Sequence, residues 1–269
     1  VLVDPLNGSS VVIDIDSLVV PGLFPPDVLG TKGYIAPEVL STISLPFKDP
    51  NRKHPSARSD EHALAVLIYQ YLLQRHPLEG RRIPNANSAE EQDFLTYGPQ
   101  ALYCEHPSNK SNRPDASQHT PVSAAGPLLT DLFQRAFVDG IQNANRRPTA
   151  SEWVKGLVKT WDLTIPCANA ACLQKWFVMT DGQGVKCPYC GTRAFQPSPV
   201  LNFRTEGRPG QWMPDGTLAV YNGATVFKWH VFANSFPGPD SDRTPQASFQ
   251  WDAGKWLMLN QNLPSLTSP

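Results

Sequence analysis

Four cysteines fall within 24 positions of this chain. Cys167 and Cys172 have four residues between them, and Cys187-Pro188-Tyr189-Cys190-Gly191 follows after fourteen more. Two close pairs at that separation bring four thiolates to one tetrahedral Zn²⁺. Gly191 permits the tight knuckle in which backbone N–H groups point at sulfur. Four sulfur ligands leave no open position, so the expected zinc is structural. A disulfide scaffold would spread its cysteines through a small secreted domain. A redox Cys-x-x-Cys would need a thioredoxin-like strand–helix context, which is lacking. Cys104 stands alone and reads as a bystander. Trp176-Phe177-Val178 and Val185-Lys186 are the expected short strands, in a segment otherwise poor in apolar bulk.

The chain has 269 residues, one large domain or two to three small ones at roughly 100–200 residues each. Hydrophobic residues make up 41%, enough for a core, and charged residues only 17%. That balance argues against a disordered, charge-rich chain. Net charge is -1, without the basic excess of a typical nucleic-acid binder. The cysteine segment carries Lys175, Lys186 and Arg193 and one acid, Asp181, with no basic run. Proline, at 27 residues, is about twice its usual frequency, so long ordered loops are expected. Ala63 to Leu73 is the longest mainly apolar stretch, far below the ~20 residues of a membrane helix. No secretory signal opens the sequence. The expectation is a cytoplasmic protein with neither membrane nor nucleic acid as partner.

The chain opens as a hairpin, with strands at Val1–Val3 and Val11–Ile13 around Asp4-Pro5-Leu6-Asn7-Gly8. An opening without lead-in reads as a fragment. Ser59-Asp60 reads as an N-cap, and the helix after it, apolar almost all round, reads as buried and central until His76-Pro77. Further helices are expected at Pro37–Leu40, Ala89–Tyr97, Leu128–Val138 and Thr149–Thr160. Beyond residue 196, Thr217–Tyr221, Val226–Val231, Ser248–Trp251 and Lys255–Leu259 alternate as strands, punctuated by Asp215-Gly216, Asn222-Gly223 and Ala253-Gly254. The expected fold is α+β in three parts: a mainly helical 1–160, a zinc ribbon over 161–197 and an antiparallel β unit over 198–269. Trp212, Trp229, Trp251 and Trp256 lie in the last. They read as a small core or as an aromatic face for a partner. His230 reads as structural.

Five segments, in order, resemble the C-lobe of protein kinases. Val12-Ile13-Asp14-Ile15-Asp16 is similar to the metal-binding strand end, usually Asp-Phe-Gly. Gly30-Thr31-Lys32-Gly33-Tyr34-Ile35-Ala36-Pro37-Glu38 is similar to the end of an activation segment. The helix after Ser59-Asp60 resembles the lobe's central helix, Arg75–Gly80 the turn after it, and Asn145-Arg146-Arg147-Pro148-Thr149 the Arg-Pro turn. The resemblance implies Mg²⁺ and ATP, with Asp14 on the metal. It implies that Thr31 contacts the catalytic-loop aspartate and marks Ser/Thr specificity. It also implies that Glu38 pairs with Arg147 and that Asp60 caps the central helix and braces the catalytic loop.

Ile15 and Asp16 depart from Phe and Gly, and loss of the glycine disfavours a flipped segment. Only Ser17 offers a hydroxyl between Asp16 and Gly30, where Pro25 and Pro26 stand, so control by loop phosphorylation is not expected. No Gly-rich loop, ATP-pairing lysine or His-Arg-Asp loop precedes Asp14 in these residues. The expectation is a truncated kinase, inactive alone, whose N-lobe and catalytic loop are missing.

The order C-lobe, ribbon and β tail resembles bacterial Ser/Thr kinases with a zinc ribbon, as in the TerY-type, tellurium-resistance-associated phosphorylation triad. That resemblance implies a von Willebrand A-domain protein and a metal-dependent protein phosphatase as partners. The function expected is the C-terminal part of an ATP-dependent protein Ser/Thr kinase. The alternative is a non-catalytic interaction scaffold that uses the same surfaces to dock partners.

Overall fold

The computed structural model describes Leu2–Val3, Ser10–Val11 and residues 30–82, 85–115, 119–180, 185–194, 198–238 and 240–264. It is mixed α and β, with short helices and small antiparallel sheets. The chain forms two compact units. One comprises residues 1–123 and 129–154, the other 124–128 and 155–269. The four clustered cysteines and the strands beyond residue 198 fall in the same unit.

In the first unit β1 (Leu2–Val3) pairs antiparallel with β2 (Ser10–Val11). Helix α1 is Pro37–Leu40, with proline at its start where a missing N–H costs nothing. Helix α2 runs Ala57–Leu73. Its cap is Ser56, not Ser59-Asp60 as expected: the Ser56 N–H donates to Ser59 Oγ at 2.7 Å, placing Ser59 at the third helical position. The helix ends before His76-Pro77, because Gln74 turns left-handed at φ 56° and closes on the Gln70 carbonyl. Only one face is buried. His62, Ala65, Val66, Tyr69 and Leu73 recur at helical spacing and face the core, while Leu67, Tyr71 and Leu72 stay exposed. The expected all-round burial fails because the core offers one wall of aromatic rings.

That wall is Tyr103, Phe133, Phe137 and Trp153, all nearly inaccessible. Tyr69 meets Phe133 edge-on at 4.9 Å, and Phe133 meets Trp153 at 5.0 Å. Helix α3 (Ala89–Tyr97) has the expected bounds, set by Ser88 accepting from the Glu91 N–H. Helix α4 (Gly126–Gln134) passes through a π turn at Arg135–Asp139 into α5 (Gly140–Gln142), longer than the expected Leu128–Val138. The π turn buries Ala136 and Phe137 together. Helix α6 is Ala150–Trp161.

In the second unit β3 (Thr164–Pro166) pairs with β4 (Trp176–Val178), setting Ile165 opposite Phe177. Val185-Lys186, expected as a strand, makes only an isolated bridge, Lys186 to Arg193. The β5 strand (Val200–Arg208) and β6 (Gln211–Ala219) form a hairpin turning at Pro209-Gly210. Asp215-Gly216 is thus inside a strand, at a register shift opposite Phe203/Arg204, rather than at a turn. The β7 strand (Thr225–Val226), β8 (Ala247–Asp252) and β9 (Lys255–Asn260) form a three-stranded sheet. Ala253 and Gly254, at φ 45° and 84°, make its two-residue turn. The strand expected over Val226–Val231 breaks after Val226 into the helical turn α7 (Lys228–Val231). No described helix is long and apolar enough to cross a membrane.

Candidate functional site

The four cysteines converge. The sulfurs of Cys167, Cys172, Cys187 and Cys190 all lie within 4.8 Å of one another and could hold a metal ion. Cys167 and Cys190 sulfurs are 3.5 Å apart, Cys172 and Cys187 sulfurs 3.9 Å. A tetrahedron with metal–sulfur bonds of about 2.3 Å has sulfur–sulfur edges of about 3.8 Å, so the spacing fits four-sulfur coordination. Disulfide bonding does not explain the approach, since all four are free thiols.

Local backbone geometry builds this. In the second knuckle the Gly191 N–H donates to the Cys187 carbonyl and the Cys187 N–H to the Thr192 carbonyl, both at 2.9 Å. Gly191 sits at φ 73°, where a side chain would be strained. In the first knuckle the Asn169 N–H points at Cys167 sulfur from 3.4 Å. Hydrogen bonding with Thr192 lowers the Cys190 thiol to about 6, whereas desolvation pushes Cys167 up to about 12 and raises Cys187. A bound cation removes that conflict, since it favours every thiolate at once. Beneath the cluster, Ile165, Phe177, Met179, Val185 and Ala219 are buried together. The cysteine segment therefore has more apolar support than its own sequence promised, with Ala219 supplied from β6.

In the first unit Arg147 is fully buried and Glu38 is half-buried. Arg147 Nη1 and Nη2 donate to the two Glu38 carboxylate oxygens at 2.8 and 2.6 Å. Its Nε donates to the Gly140 carbonyl at 2.9 Å and Nη1 also to the Arg58 carbonyl at 2.7 Å. One guanidinium thus ties α1, the first turn of α2, and α5. His76 adds a second tie: Nε2 donates to the Gly33 carbonyl at 3.0 Å, and Nδ1 accepts the Leu78 N–H at 3.1 Å. That tautomer is neutral, and burial lowers the basicity of His76 further.

Thr31 and Asp60 line one cavity of about 370 Å³ with Tyr34, Ile35 and Ser59. Asp60 lies within the first turn of α2 and is not its N-cap. Burial, then the neighbouring Glu61, raises the pKa of its carboxyl, which has no hydrogen-bond partner among the described residues. Asp14 lies outside the described residues.

Sequence reasoning missed several partnerships. Asn112 is buried, donating to the Leu78 and Leu102 carbonyls at 3.0 and 2.6 Å and accepting the Arg82 N–H at 3.0 Å. Arg75 donates to Glu105 at 2.7 Å and to Cys104 sulfur at 2.8 Å, so Cys104 is a buried acceptor in a structural cluster. Asp162 and His230 meet 3.2 Å apart in the second unit. None had a local signal, because each partnership joins positions distant in sequence. No family model, no curated protein and no solved structure matches this chain.

Proposed function

We propose that the first unit is a protein-kinase-like C-lobe and that the chain is the C-terminal part of an ATP-dependent protein Ser/Thr kinase. The observation that carries the reading is the buried Arg147 clasping Glu38 of Ala36-Pro37-Glu38 across 109 positions. A kinase lobe fixes the end of its activation segment with such a pair. The shared cavity of Thr31 and Asp60 supports it further, since the catalytic loop of a kinase lies against these two positions. On this reading Asp14 would hold Mg²⁺, which would neutralise charge on the ATP phosphates.

Zinc is the metal proposed for the four-cysteine cluster: all-thiolate, tetrahedral donor sets suit it, and filled coordination makes it structural. The reading brings with it a cytoplasmic, bacterial signalling role. Its partners would be a von Willebrand A-domain protein and a metal-dependent protein phosphatase.

The test is phosphoryl transfer from Mg²⁺-ATP to protein by the natural full-length product, compared with its Asp14→Ala variant. Activity in the first and its loss in the second, with unchanged folding, is the expected result. Equal rates would remove Asp14 from the metal site. Transfer by neither would leave the non-catalytic scaffold.

A further inference from the structure

The second unit contains a cavity of about 580 Å³ with aromatic walls. One wall is Phe227 and Trp229, stacked at 4.5 Å with 22° between their planes. Another is Trp176 against Tyr221, edge-on at 5.5 Å. Trp161 also lines the cavity and is 80% exposed, an unusual position for a side chain with so much apolar surface. Among the described residues the lining has one carboxylate, Asp162, and neither lysine nor arginine. The nearby Lys228 is engaged with Asp242.

Asp162 is positioned by His230, whose Nε2 lies 3.2 Å from Asp162 Oδ1. The N–H groups of Phe227 and Trp229 point at Nδ1 and Nε2 of the same ring, each from 3.0 Å. The Asp162 side chain is 12% exposed. His230 is itself stacked on Phe203 at 5.4 Å and 3°, which fixes the ring plane.

We propose that this cavity binds an alkylated ammonium group. Ring faces carry negative potential and attract a cation within about 6 Å, while the methyl groups of an alkylated ammonium bury favourably against the same faces. A single desolvated carboxylate adds direct attraction. A simple apolar ligand would gain nothing from the Asp162 carboxylate, and an anion would be repelled by it. The same head group occurs on a methylated lysine and on a free quaternary amine, and the cavity chemistry is common to both.

The test is calorimetric titration of the 269-residue protein with choline and with 3,3-dimethyl-1-butanol, its neutral isostere. Choline is expected to bind saturably, with the alcohol weaker by about tenfold, the worth of cation attraction at such a site. Trp161→Ala removes an exposed ring without opening the core and should weaken choline severalfold. Asp162→Asn should do the same. A trimethyllysine peptide that binds more tightly than both choline and its unmethylated form would identify a protein ligand. Choline binding as tightly as that peptide would identify a free amine. Equal binding of choline and the alcohol, an absence of saturation, or choline affinity unchanged in both variants would overturn the proposal. None of these outcomes bears on phosphoryl transfer.

Discussion

Arg147 and Glu38 form a two-point ion pair, at 2.8 and 2.6 Å, with no exposed surface on the arginine side chain. Removing one partner strands the other. Arg147→Ala leaves Glu38 and the Gly140 and Arg58 carbonyls short of a donor, and should cost about 3–5 kcal/mol. Glu38→Ala should fall toward the lower end, since Glu38 is 31% exposed. Arg147→Lys should not rescue, because an ammonium cannot match the planar fork. Chemical denaturation of the single and double variants measures the coupling. Losses that simply add would show that the pair contributes nothing as a pair.

Gly80 packs where no side chain fits. An added Cβ would sit 1.7 Å from the Asn112 carbonyl oxygen and 2.7 Å from its Oδ1. The obstacle is backbone, and Asn112 is itself pinned by Leu78 and Leu102. Gly80→Ala should therefore displace the whole 78–112 clasp and lower the melting temperature sharply. Gly191→Ala is the contrasting case: nothing lies within 4 Å, and only its φ of 73° opposes a side chain. That strain costs about 1 kcal/mol. A Gly80→Ala protein as stable as Gly191→Ala would contradict the described loop.

His62 gives the first unit a pH response. It is buried against Phe137 at 6.1 Å, with both ring nitrogens unpartnered among the described residues. Burial chiefly, then the charge of Arg147 and the neighbouring His76, lowers it from 6.5 to about 3. The folded state therefore takes up its proton later than the unfolded state. Stability is full above about pH 6.5 and falls as pH drops toward 3, by up to about 1.4 kcal/mol per unit. Glu152, lowered to about 2 by Arg135 and Thr149, adds its own loss only below its ordinary value of 4.5. Between pH 6.5 and 4.5, His62→Leu should flatten the stability profile, leaving the smaller part due to His76. Identical slopes would mean that His62 is charged in the folded protein.

What the sequence made legible was local. The four-cysteine cluster follows from spacing alone, because a knuckle is a turn and turn chemistry is short-range. The bounds of α3 follow from Ser88 for the same reason. Val226–Val231 failed because alternation over six residues does not separate a strand from a helical turn. Asp215-Gly216 failed because the same dipeptide serves a bulge as well as a turn. The pairing of Glu38 with Arg147 came from family resemblance and not from pattern. Nothing in the sequence could have joined Asp162 to His230, 68 positions away.

The metal site makes the sharpest claim about folding. Elemental analysis should find one metal ion per chain, held by Cys167, Cys172, Cys187 and Cys190. Cys172→Ser should lose it, since that sulfur is buried and no fifth ligand joins the cluster among the described residues. The consequence of loss reaches beyond the knuckles, because Ile165, Phe177 and Met179 share one buried cluster with Ala219 of β6. Chelation should therefore speed exchange of the Cys167 amide, bonded to the Lys175 carbonyl, and of the Met179 amide, bonded to that of Leu163. It should also loosen the Ala219 amide, which donates to the Asp162 carbonyl at 2.7 Å. Amides in the middle of α2 rest on the separate aromatic core around Tyr69 and should keep their protection. Uniform exchange throughout the chain would show that metal binding and the whole fold are one cooperative event. A protein free of metal, with equal protection before and after chelator, would show that the cluster at Phe177 stands without it.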